Sequence, residues 1–138
     1  MAHYLDTSAL VKLVVAEAET PALLAWLAAG ERTPTSNDLA RTELMRAVRR
    51  SAPELALRAT EVLDSITLLA LRPSTFEQAG RLSPAPVRSL DAIHLAAALD
   101  LGDDLDAVVT YDDRQASAAR ANGVPVISLG AAPRQTER

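Results

Sequence analysis

Four acidic side chains in this sequence stand where they could bind cations together. Asp6 and Asp112 each come just after a predicted strand. Glu43 lies on a predicted helix among apolar residues that should face the core, and Asp91 lies in the first turn of a strongly apolar helix. Because ligands of parallel sheets bind at the carboxyl ends of the strands, we expect the four carboxylates to converge at that edge.

Each acid alone also has a simpler explanation. An Asp after a strand is commonly a helix cap or a turn residue. Glu43 could mark the border of a buried helix face and pair with Arg46 or Arg50. Asp91 could merely place a favourable charge at a helix N-terminus. It is the combination of the four acids that indicates a site.

Carboxylates gathered at one place repel each other and raise each other's pKa unless cations neutralise them. The sequence has no Cys and two His, so the donors are hard oxygen atoms, which favour Mg²⁺ or Mn²⁺. Two such ions about 3.5 to 4 Å apart can activate a water and stabilise the leaving oxygen of a phosphodiester. The residues therefore predict metal-dependent phosphodiester hydrolysis.

Strands alternate with helices along the chain, and these elements must position the acids. Strands are predicted at residues 3–5, 33–35, 66–71, 107–110 and 126–128. The main helices are predicted at residues 8–15, 20–29, 38–51, 53–65, 89–101 and 114–121, the first capped by Thr7. The strands are apolar rather than alternating, which predicts an α/β fold: a central parallel sheet of about five strands, covered by helices on both faces.

Composition limits the class of protein. With 138 residues and 49% hydrophobic residues, the chain can bury one core, so we expect a single domain over residues 1–130 and a flexible tail over 131–138. The net charge of −4 argues mildly against a binder that depends on general attraction to nucleic acid. Without cysteines, an export signal or a membrane-spanning segment, the expected location is the cytoplasm.

The acids also lie in segments that resemble a known family. The motifs are similar to those of PIN-domain VapC toxins, the ribonuclease halves of VapBC toxin–antitoxin pairs. The resemblance spans Tyr4 to about Leu129 and rests on segments in the family's order and spacing: Asp6-Thr7-Ser8-Ala9-Leu10-Val11-Lys12, Glu43, Leu90-Asp91-Ala92-Ile93-His94-Leu95-Ala96 and Thr110-Tyr111-Asp112.

The resemblance implies roles for these residues. The Mg²⁺ or Mn²⁺ ligands would be Asp6, Glu43, Asp91 and Asp112, with Asp113 open as an alternative to Asp112. The hydroxyls would orient carboxylates or bound water: Thr7, Ser8 and Thr110. Similar toxins cleave RNA, often a tRNA or a ribosomal loop. They are neutralised by a VapB-like antitoxin, are usually homodimers, and form heterotetramers or larger assemblies with it.

Several other residues admit more than one interpretation. Arg46, Arg49 and Arg50, with Arg41, could contact RNA phosphates, contact an acidic antitoxin segment, or form an ordinary solvated face. Arg114 stands beside Asp112 and could touch substrate. His94 is interpreted as a core histidine with one hydrogen bond, without a catalytic role. Trp26 is interpreted as core, or as a dimer or antitoxin surface.

Rival functions fit less well. A haloacid dehalogenase phosphatase normally has a second Asp two positions after the first, where this chain has Ser8. A dinucleotide enzyme would have a glycine-rich turn after the first strand, and Asp6-Thr7-Ser8-Ala9 has no glycine. Two alternatives within the family remain: a PIN-domain RNA-processing factor, and an inactive PIN-like scaffold that only binds partners.

Overall fold

Five parallel strands form the central sheet, and the predicted acids are expected at the carboxyl ends of these strands. The computed structural model describes residues 1–130, and the predicted tail at 131–138 lies outside those residues. The strand order is β3-β2-β1-β4-β5, with β1 at the centre. The strands are β1 (Ala2–Leu5), β2 (Thr33–Asn37), β3 (Thr67–Leu69), β4 (Leu105–Val109) and β5 (Val126–Ile127). The predicted α/β fold with a five-stranded parallel sheet is confirmed.

Seven α-helices connect the strands within the described part of the chain. They are α1 (Thr7–Val14), α2 (Thr20–Ala28), α3 (Leu39–Ser51), α4 (Ala56–Ser65), α5 (Pro73–Arg81), α6 (Ser89–Leu99) and α7 (Asp113–Ala121). None of the helices in residues 1–130 is long and apolar enough to cross a membrane.

Adjacent strand residues bury their side chains on opposite faces of the sheet. Leu5 and Val109 pack with apolar residues of α1 to α4 on one face. Tyr4 and Val108 pack with residues of α6 and α7 on the other. The pleat of a strand sends successive side chains to opposite sides, so two layers of helices cover the sheet, as predicted.

The chain reverses its direction of travel across the sheet between β1 and β4. It first runs from β1 through β2 to β3, and it then crosses back to place β4 on the other side of β1. Right-handed crossovers therefore put the first helices on one face and the later helices on the other. Such a reversal leaves a crevice beyond the carboxyl ends of the two strands. Asp6 and Thr110 directly follow those two ends.

Three details of the predicted elements are wrong. The strand predicted at 66–71 is only Thr67–Leu69, and it is partly exposed because it lies at the sheet edge. The helix predicted from 53 to 65 begins with a 3₁₀ turn, Pro53–Leu55, before α4. The cap of α1 is Asp6 rather than Thr7, which is the first residue of the helix.

Candidate active site

Asp6 is a buried carboxylate at the junction of β1 and α1. Its side chain is 4% exposed. Oδ1 accepts hydrogen bonds from the backbone N–H of Ala9 at 3.1 Å and from the Ser8 hydroxyl at 2.6 Å. Oδ2 accepts from the Thr110 hydroxyl at 2.5 Å. Burial raises the pKa of Asp6 above its ordinary value, although the bonds from Ser8 and Thr110 oppose the rise.

The two hydroxyls that bond Asp6 also hold the loop after β4. The Ser8 hydroxyl accepts from the backbone N–H of Tyr111 at 2.9 Å, and the Thr110 hydroxyl accepts from the N–H of Asp112 at 3.1 Å. Asp112 caps α7, where its Oδ1 accepts from the N–H of Arg114 at 2.8 Å. The loop that carries Asp112 is thus fixed relative to Asp6.

Glu43 points from α3 towards α1 and α6. Its Oε1 accepts from the Thr7 hydroxyl at 2.9 Å and from His94 Nε2 at 2.6 Å. Burial would raise the pKa of Glu43, but the hydrogen bonds from His94 and Thr7 outweigh it and hold the pKa below its ordinary value. The sequence-based pairing of Glu43 with Arg46 or Arg50 is wrong, because this face of α3 turns towards the sheet edge.

A buried chain of hydrogen bonds sets the tautomer of His94. Asn37 Oδ1 accepts from the Leu39 N–H at 2.7 Å, so its amide nitrogen faces the Tyr4 hydroxyl and donates to it at 2.5 Å. The Tyr4 hydrogen is then directed at His94 Nδ1, 2.8 Å away. Nδ1 is an acceptor in this arrangement, which places the ring hydrogen on Nε2, facing Glu43.

The charge of Asp112 acts on Asp91. Burial, then the charge of Asp112, and to a smaller extent that of Glu43, raise the pKa of Asp91; His94 and Arg88 oppose the rise. The charges of Asp6 and Glu43 in turn add to the dominant effect of burial in raising the pKa of Tyr4. These electrostatic interactions indicate that the four predicted acids lie in one neighbourhood.

The donor chemistry of this neighbourhood fits a hard divalent cation. The predicted ligands are all carboxylates, and the raised pKa values of Asp6 and Asp91 mean that their negative charges lack sufficient compensation from the protein. Yet in residues 1–130 no three Asp, Glu or His side chains are arranged to ligate one ion together. A cation here would therefore need water molecules in its coordination shell, as Mg²⁺ commonly does.

The arginines lie in three different places. Arg46, Arg49 and Arg50 are exposed and border a depression of about 360 Å³ on α3. Arg41, by contrast, pairs with Asp38 at 3.0 Å. Arg114 is exposed in the first turn of α7, beside Asp112 and Asp113.

Sequence reasoning missed the group of residues that supports Glu43. His94 is 3% exposed, as a core residue would be, but it bonds Tyr4 and Glu43 rather than a single partner. The one signal in the sequence was its position three residues after Asp91 on α6. Nothing in the sequence alone links Asn37 or Tyr4 to the site. Trp26 packs against the core and forms an edge contact with His3, as one of its interpretations predicted.

Comparison with known proteins finds a matching family and several similar proteins. The family described as PIN domain matches residues 3–121. Ribonuclease VapC47 of Mycobacterium tuberculosis is 46% identical over 133 residues, which cover 93% of this chain and 97% of the relative. Ribonuclease VapC46 of the same organism is 43% identical over 128 residues, 92% of this chain and 97% of the relative. Ribonuclease VapC35 is 39% identical over 134 residues, with 94% and 98% covered.

The buried carboxylate of Asp6 predicts a pH dependence of stability in the metal-free protein. Because its folded pKa lies above the ordinary value of 3.8, the folded state holds the proton more tightly than the unfolded state. The stability that Asp6 contributes is present below its unfolded pKa and is lost as pH rises through the folded pKa. Asp6→Asn cannot titrate and loses nothing over this window.

We therefore expect the stability of Asp6→Asn relative to wild type to increase as the pH rises above about 4, the unfolded pKa of Asp6, with EDTA present. Urea unfolding at several pH values measures this difference. If the difference in unfolding free energy between the two proteins stays constant or falls as the pH rises, the raised pKa of Asp6 is contradicted.

Proposed function

Since the chain belongs to the PIN-domain family, we propose that it is a divalent-metal-dependent endoribonuclease and the toxin of a toxin–antitoxin pair. The observation that carries this proposal is the buried Asp6 carboxylate, held between β1 and β4 in one neighbourhood with Glu43, Asp91 and Asp112. The names of the relatives, ribonucleases of the VapC type, support the same activity.

In this proposal the four carboxylates hold Mg²⁺ or Mn²⁺, some of them through water. The bound ions would lower the pKa of a water that attacks phosphorus and would neutralise the leaving oxygen. Asp113, which begins α7 next to Asp112, remains the alternative fourth ligand. The scissile bond would be an RNA phosphodiester.

The chain's own residues fix where two of those carboxylates point, Asp6 and Glu43. Ser8 and Thr110 each donate to a different oxygen of Asp6, so rotation of the carboxylate would break at least one of these bonds. Thr7 and His94 donate to the same oxygen of Glu43, which leaves the other oxygen for a ligand. Such outer hydrogen bonds typically change metal affinity or activity by roughly 10- to 100-fold.

The proposed partners follow from the family. The substrate would be a structured RNA such as a tRNA or a ribosomal RNA, and the inhibitor a cognate VapB-like antitoxin. We propose a homodimer that forms a heterotetramer or a larger assembly with the antitoxin, and that acts in the cytoplasm.

Two alternatives use the same fold. An RNA-processing factor would share the nuclease chemistry but would have no antitoxin. An inactive scaffold would bind partners without cutting RNA. The four acids and the hydrogen bonds that orient Asp6 and Glu43 favour an active nuclease over the scaffold.

Cleavage of total cellular RNA by the purified protein tests the activity. With Mg²⁺ or Mn²⁺ we expect discrete fragments that disappear with EDTA. Asp6→Asn removes the negative charge of a proposed metal ligand and should lower the rate of cleavage by about 100-fold or more. Loss of a residue that only supports a ligand typically lowers activity by roughly 10- to 100-fold. Asp38→Asn is the matched control, because Asp38 follows β2 at the same sheet edge but pairs with Arg41.

Full activity in Asp6→Asn would overturn the four-acid mechanism. The absence of cleavage in the wild type, with every RNA and either cation, would favour the scaffold.

The α3 arginines predict an effect on RNA binding. Within residues 1–130, Arg46, Arg49 and Arg50 form no ion pair with an acidic side chain, so they are free to bind phosphates. Replacing all three by Gln should raise KM and leave kcat nearly unchanged. The slope of the logarithm of the RNA binding constant against the logarithm of the salt concentration should become shallower by about 0.7 for each phosphate that is no longer neutralised. The control is Arg41→Gln, on the same helix. An unchanged KM together with weaker inhibition by the antitoxin would assign the patch to the antitoxin instead.

A further inference from the structure

A cavity of about 300 Å³ lies beside the candidate active site, between the loop before α6 and the start of α7. This volume is near the lower end of the roughly 300–1,000 Å³ that small-molecule sites occupy. It is large enough for one planar ring system.

The loop before α6 forms an apolar wall of the cavity and is held in place. Pro84, Pro86 and Val87 lie on this loop, and Ala118 lines the cavity from α7. The loop is closed by a hydrogen bond from the Val87 N–H to the Pro84 carbonyl at 3.0 Å. It is joined to the end of α7 by a bond from the Asn122 side-chain amide to the Ser83 carbonyl at 2.8 Å. A wall fixed in this way can accept a rigid ligand without reordering.

The other residues that line the cavity are polar or charged, and one of them belongs to the candidate active site. These residues are Arg88, Asp91, Arg114 and Ser117. Asp91 is one of the four predicted acids, so the cavity adjoins the candidate active site. The two arginines can offset the charge of phosphates that approach those acids.

We propose that this cavity is a subsite for one unstacked nucleobase of the RNA, from a nucleotide next to the scissile phosphate. The inference rests on the proposed function for the identity of its ligand. A phosphodiester that reaches the acids must carry its neighbouring bases along the same surface, and Asp91 itself lines the cavity. Single-stranded RNA is recognised through such splayed bases, which pack against apolar surfaces and arginine planes.

The cavity would recognise the base without aromatic stacking. No aromatic side chain is among its lining residues in the described part of the chain. Proline and valine surfaces supply apolar contact to the ring, and the guanidinium groups of Arg88 and Arg114 can lie against it or bond its edge. The site can therefore prefer one base over the others, which gives the enzyme part of its choice of cut site.

Binding of ribonucleoside 5′-monophosphates to the full chain tests the subsite without requiring cleavage. Amide NMR shifts are followed during titration with the monophosphates of adenosine, guanosine, cytidine and uridine, with and without Mg²⁺. Ribose 5-phosphate is the control, because it has the same phosphate and sugar but no base. We expect at least one monophosphate to shift the amides of Val87, Arg88, Ser117 and Ala118, and to bind at least fivefold more tightly than ribose 5-phosphate.

Two matched variants on α7 locate the binding. Ser117 is exposed and lines the cavity, so Ser117→Leu should fill the space and abolish the base-dependent binding. Ala121→Leu adds a leucine at an exposed position of the same helix outside the cavity, and should leave binding unchanged. Cleavage is also measured with a short RNA that spans the cut site and with the same RNA lacking one base. Removal of the base should lower kcat/KM about tenfold or more for wild type, and far less for Ser117→Leu.

The outcomes separate the subsite from the nuclease. Equal binding of ribose 5-phosphate and every monophosphate would overturn the subsite, even if wild type cleaves RNA. Base-dependent shifts in a protein that cuts no RNA would support the subsite and overturn the nuclease. A Ser117→Leu variant with normal nucleotide binding but weaker inhibition by the antitoxin would assign the cavity to a protein side chain, and the proposal would be wrong.

Discussion

Burial of the Asp6 carboxylate between β1 and β4 is the constraint on which the rest of the site depends. A carboxylate removed from water is costly unless hydrogen bonds compensate it, and here the donors are Ala9, Ser8 and Thr110. The Thr110 donor is supplied by the neighbouring strand, so the pairing of Leu5 with Val109 must be kept. A shift of β1 by one residue relative to β4 would remove that donor and would turn the side chains of Tyr4 and Leu5 to the wrong faces of the sheet.

The same strand also supports Glu43, through the side chain of Tyr4. Tyr4, two residues before Asp6, connects Asn37 at the end of β2 with His94 on α6, and His94 connects with Glu43 on α3. Burial raises the pKa of Tyr4 far above its ordinary value, so its hydroxyl keeps the hydrogen that it directs to His94. The carboxylates of Asp6 and Glu43 are thus positioned by two separate networks that share the central strand.

The sequence was informative where local features determine position. The parallel strands and the helices between them could be predicted because apolar runs and turn residues are local features. This prediction placed Asp6 and Asp112 at one edge of the sheet. The link from His94 to Glu43 could not be predicted, because it joins residues 51 positions apart whose contact depends on how α3 and α6 rotate against the sheet. The same rotation explains why Glu43 does not pair with its neighbouring arginines. The partial exposure of β3 could not be predicted either, because its position at the sheet edge is a property of the topology.

The central claim is that the chain brings carboxylates together with too little positive charge, and that a divalent cation supplies it. The most direct test is Mn²⁺ binding to the metal-free protein near neutral pH, measured by electron paramagnetic resonance without RNA. The account predicts binding by wild type and by Asp38→Asn, and binding at least tenfold weaker by both Asp6→Asn and Glu43→Gln. Equal Mn²⁺ affinity in all four proteins would contradict it.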